Sequence, residues 1–136
     1  MRIGDHEFGF EPPDLVIMRY RGTLAAPEFT RGMEWLRGQC GDWPHMVLLV
    51  DVSELTTIPP DTRKIVPEAT SWMPMRGISF HGAGFAVRTV SMMLVKVINL
   101  VRGTDNPPHY SNDETAARSW IDERRTELAH EEGRHA

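Results

Sequence analysis

The chain has 136 residues, of which 40% are hydrophobic and 25% charged, with a formal net charge of −4. This is the size and composition of one globular domain with a real core, with no room for a second, and the acidic balance argues against a dedicated DNA binder, so no nucleic-acid partner is expected. Cys40 has no disulfide partner, no run reaches the roughly 18 apolar residues of a membrane span, and Asp5, His6 and Glu7 stand where a signal peptide is apolar, so a cytoplasmic protein is expected.

Arg2 to Phe10 and Leu15 to Tyr20 read as two strands of an opening hairpin, joined by the turn chemistry of Glu11-Pro12-Pro13-Asp14. Pro27 suits a first helical turn, and Phe29, Met33, Leu36 and Cys40 recur at helical spacing, predicting a helix from about Pro27 to Gln39 that Gly41 stops. Met46 to Val52 is a continuous apolar run, the pattern of a central strand with helices on both faces. Pro59 and Pro60 open a second helix reaching towards Trp72, which Pro67 should kink or split.

Ile78-Ser79-Phe80 then reads as a strand passing through His81-Gly82-Ala83-Gly84 to Phe85-Ala86-Val87, the glycines marking a bulge or a close backbone approach. Thr89 to Arg102 is a strong helix with Val90, Met93, Leu94, Val97 and Val101 as its inward face, and Gly103 ends it. His109-Tyr110 makes a short edge strand, and Ser111-Asn112-Asp113-Glu114 reads as a capping box. The last helix turns Ala117, Trp120, Ile121 and Leu128 inward, and its charged tail from His130 to Ala136 is expected to fray. The order β-β-α-β-α-β-α-β-α predicts an α/β domain with a mixed four- to five-stranded sheet, parallel after the hairpin, and helices packed against it.

The loop after the central strand draws attention because open α/β sheets bind at the carboxyl ends of their strands. Asp51 ends that strand, Ser53, Thr56 and Thr57 follow with hydroxyls, and Asp61 and Arg63 open the next helix. Each has a local use as well: Asp51 and the hydroxyls can bond nearby amides, and Asp61 can cap the helix. Arg63 and Arg88 are candidates for an anion at the same sheet end, although such groups more often form solvated ion pairs.

Arg76, Arg88, Lys96 and Arg102 lie in a stretch without one acidic residue, and with Met92 and Val95 they form a basic and apolar strip. That strip suits a lipid, a membrane surface or an acidic partner, unless the acidic last helix lies beside it and neutralises it. Exposed apolar surface of this kind also predicts a homodimer. The six histidines show no zinc-ligand spacing, Cys40 falls on an apolar stripe, and the glycines at 82 and 84 match neither a dinucleotide nor a phosphate loop. No metal, cofactor or enzymatic activity is expected.

Val50-Asp51-Val52-Ser53-Glu54-Leu55, Pro60-Asp61-Thr62-Arg63-Lys64, the Gly84 to Arg88 segment and Asp113-Glu114-Thr115-Ala116-Ala117-Arg118-Ser119-Trp120-Ile121 together resemble the small bacterial STAS-like proteins. These are relatives of the anti-sigma factor antagonists, sometimes grouped with CRAL-TRIO lipid-binding proteins. The resemblance implies a STAS-like fold and a non-enzymatic regulatory domain that docks a partner protein at the loop after the central strand, or else a carrier of a lipid or other small apolar ligand. In the antagonists this loop carries a phosphorylated serine. Pro59-Pro60-Asp61-Thr62 stands in its place here, so Asp61 occupies the aligned position without a hydroxyl and the phosphoserine switch is not intact.

Overall fold

The computed structural model describes residues 1–135, with side chains described as far as residue 133. Among these residues six strands form one sheet and four helices cover it. The chain runs β1 (Arg2–Ile3), β2 (His6–Glu11), β3 (Leu15–Thr23), α1 (Ala26–Cys40), β4 (Met46–Thr57), α2 (Pro60–Ala69), β5 (Met75–His81), α3 (Phe85–Arg102), β6 (His109–Ser111) and α4 (Glu114–His135).

The sheet has six strands rather than four or five because the opening segment is two strands. Gly4 adopts φ 59°, turning the chain back so that Arg2 pairs with Glu7 and Ile3 with His6. The other added length lies in β4, which continues past Val52 to Thr57, paired with β3 through two register shifts. Strand β5 starts at Met75, ahead of Ile78, and ends at His81. Phe85-Ala86-Val87, expected as strand, is the first turn of α3. The expected cap also moves along: Asp113, not Ser111, accepts the Ala116 amide at 2.8 Å and caps α4.

Strands stand in sequence order, β1-β2-β3-β4-β5-β6, antiparallel up to β3 and parallel from β3 to β6. Right-handed crossovers that always step in one direction place every crossover helix on the same side. Accordingly α1, α2 and α3 share one core with Phe8, Val16, Met18, Leu48, Val50 and Phe80, while α4 packs on the opposite face over Leu15, Val47 and Leu49. The two-sided burial expected of Met46 to Val52 follows from this arrangement. A sheet whose order never reverses between β3 and β6 has no switch-point crevice there of the kind that places ligands in doubly wound folds.

Gly32 shows how closely α1 sits. A Cβ there would fall 2.2 Å from the Phe8 ring, so only glycine lets the helix approach β2. Pro67 is carried inside α2, which ends at Ala69. Gly103, at φ 66°, ends α3 in the left-handed conformation expected of it. Helix α4 remains helical beyond His130 as far as His135, and Ala136 lies outside the described residues.

Candidate functional site

Alternation along the strands sends residues at one level of the sheet to the same face. Arg19 pairs with Asp51, Asp51 with His81, and His81 with Ser111, so a polar row crosses the carboxyl ends of β3 to β6 on the α4 face. Asp51 Oδ1 accepts the Ser53 hydroxyl at 2.7 Å and the Ser53 amide at 2.9 Å. Arg19 lies 3.6 Å from Asp51 and 2.9 Å from Glu114 in the first turn of α4. Burial alone would raise the Asp51 pKa; the Ser53 bonds and the nearby His81 and Arg19 outweigh it and hold the carboxyl below its ordinary value. His81 is buried with Nδ1 3.9 Å from Asp51, and its Nε2 has no hydrogen-bond partner.

Of the residues expected in a loop after the central strand, Ser53, Thr56 and Thr57 are exposed positions of β4 itself. Asp61 accepts the Thr62 amide at 3.1 Å in the first turn of α2. Arg63 donates Nε to the Ile58 carbonyl at 2.7 Å, which ties the turn down. Arg88 lies instead over the Tyr110 ring, 4.6 Å from its centroid. Asp51 and Ser53 therefore come together, while Arg63 and Arg88 are each occupied with separate neighbours.

The strip on α3 divides. Val95 is only 3% exposed and faces the sheet, contrary to its expected place beside Met92, which is 45% exposed. The inward face of α3 is Val87, Ser91, Leu94, Val95 and Ile98; Met93, Val97 and Val101, expected inside, point outward. Ser91 lies inward because its hydroxyl meets the Tyr110 hydroxyl at 2.6 Å and a helix-backbone carbonyl at 3.1 Å. Among the described residues Arg76 alone of the four basic groups is met by α4, through Glu131 at 2.8 Å.

Beneath α3 an apolar cavity of about 80 Å³ opens against the sheet, walled by side chains of α1, α2 and α3 and by Met18, Leu48, Val50 and Ile78. Three polar side chains reach its wall, and all are already bonded. Tyr20 donates to Met18 Sδ at 2.9 Å, Thr70 to the Val66 carbonyl at 2.8 Å, and Ser91 is paired with Tyr110. Nothing inside is left to hold a charge. Burial also pushes the Tyr20 phenol up, so it stays neutral.

Sequence reasoning missed Ser91 and Tyr110. A lone polar residue in an apolar segment carries no signal of its partner when that partner arrives from a different element. Among the described residues no three His, Cys, Asp or Glu side chains gather into a cluster able to hold a metal ion. Nor is any helix there long and apolar enough to cross a membrane.

No protein-family model and no curated protein matches the chain. Among solved structures it is similar to an uncharacterised protein of the DUF3478 family with a SpoIIAA-like fold, from Shewanella loihica PV-4. The two superpose with a TM-score of 0.64 at 16% identity, over 85% of this chain and 92% of the other. The architecture is thus an α/β domain with a STAS-like fold. More narrowly, its fold is SpoIIAA-like.

Proposed function

We propose that this protein is a non-enzymatic regulatory binding domain that takes up a short apolar chain between α3 and the sheet. The carrying observation is the apolar cavity under α3. Its 80 Å³ is about half the roughly 150 Å³ that accommodates benzene, room for a few carbon atoms of a chain whose polar end stays outside. The sequence's resemblance to STAS-like proteins, which are sometimes grouped with the CRAL-TRIO lipid binders, accords with this reading. Methyl NMR during addition of octanoate tests it: saturable shifts at Met18, Met33 and Met75 are expected, with Met92 and Met93 as controls. Shifts confined to Met92 and Met93, or none, would overturn it.

A second reading places a partner protein at the end of β4. It is favoured by one observation: β5 stops pairing at His81, opposite Asp51, while β4 runs on to Thr57 with its ladder partner on the β3 side. An unpaired strand edge is a template for an added strand. If Asp51→Ala combined with Asp61→Ala leaves every captured partner unchanged in a pull-down, this reading fails.

A further inference from the structure

We propose that the outward face of α3 docks on the surface of an anionic lipid bilayer. This face is opposite the one that walls the cavity, so either assignment can fail without the other. Phe85, Leu100 and Val101 are 88%, 82% and 70% exposed, and Met92, Met93 and Val97 join them along the same side of the helix. Spacings of three, four and seven residues place these groups along one side of the 18-residue helix, about 27 Å long. A shallow depression lined by Phe85, Arg88, Thr89, Met92, Met93 and Lys96 opens on this face.

Charge identifies the occupant. The sequence has no acidic residue between Glu68 and Asp105, and the basic groups of this face, Lys96 within it and Arg88 at its margin, form no ion pair among the described residues. A second copy of the chain would bring this basic face against itself. Lys96 decides against a dry protein partner as well. It stands four residues from both Met92 and Leu100, in the middle of the apolar stripe, where protein interfaces are poor in lysine. At a bilayer surface its alkyl stem lies along the apolar groups while the ammonium reaches lipid phosphates.

Vesicle flotation of the full chain tests this, with phosphatidylcholine alone against phosphatidylcholine carrying roughly one third phosphatidylglycerol. Binding at least about tenfold stronger to the anionic vesicles, weakening as salt rises, is expected. Lys96→Glu should lower that binding about tenfold or more. The double variant Leu100→Ser with Val101→Ser, at exposed positions outside the core, should do likewise with an unchanged circular dichroism spectrum. Equal binding to neutral vesicles, no binding to either, or binding that survives both variants overturns the proposal. So does a dimer in sedimentation velocity that the double variant dissociates, because the face would then belong to a second copy.

Discussion

On the α4 side of the sheet, Leu15, Val47, Leu49, Ala117, Ile121 and Leu128 make a small core whose helix is tied to the strands by charge. Arg125 meets Asp14 at 2.7 Å, Arg118 meets Glu11 at 2.8 Å, and Glu114 meets Arg19 at 2.9 Å. On the other side the core is larger, yet it holds the cavity, and α3 has no ion pair among the described residues. The contrast separates holding from binding. Helix α4 is pinned along its length by ion pairs, whereas α3 rests over a void on apolar contacts, tied by neutral hydrogen bonds at Ser91 and Asn99.

Matched truncations put that contrast at risk. Ile121→Ala, in the pinned core, should destabilise by about 4 kcal/mol in urea unfolding, and Ile98→Ala by only about 2 kcal/mol, since Ile98 already borders the cavity. Equal losses would mean that the two faces are packed alike. The reverse change sharpens the same measurement: Val95→Leu, which places one more methylene into the void, should stabilise by about 0.8 kcal/mol.

A loss smaller than that of either truncation is expected in the polar row on the α4 side. Asp51 has its pKa held below the ordinary 3.8, so its contribution is full above that value and is lost as pH falls through the depressed folded value. Asp51→Asn should therefore cost about 1 kcal/mol at neutral pH, and the difference from the unsubstituted protein should shrink below about pH 4. A difference independent of pH would show that the carboxylate charge contributes nothing there.

Where one periodicity dominates, the sequence was legible. Phe29, Met33, Leu36 and Cys40 on α1, and Ala117, Ile121 and Leu128 on α4, face inward as their spacing predicts. Helix α3 misled because apolar residues occur around its whole circumference, so spacing alone does not choose a face. Its orientation depends on Ser91 finding Tyr110, a contact between distant elements. The end of β4 was hidden for another reason. Its register shifts leave Ser53 and Glu54, then Thr56 and Thr57, exposed in adjacent pairs, and alternation, the usual mark of a strand, disappears. With these two corrections the space beneath α3 joins the end of β4 as a candidate site.

The unbroken strand order also governs how the chain can assemble. Every strand pairs with the one made just before it, so the sheet can grow outward from the β2–β3 hairpin with short loop closures, each crossover helix settling as its strand is added. Helix α4 breaks the pattern. Its residues Ala117 to Leu128 cover Leu15 and Val47, which are synthesised far earlier, and Arg125 must find Asp14 across 111 positions of sequence. During synthesis the face that becomes the pinned one is therefore the last to be covered, and its apolar side chains wait exposed until the final helix emerges.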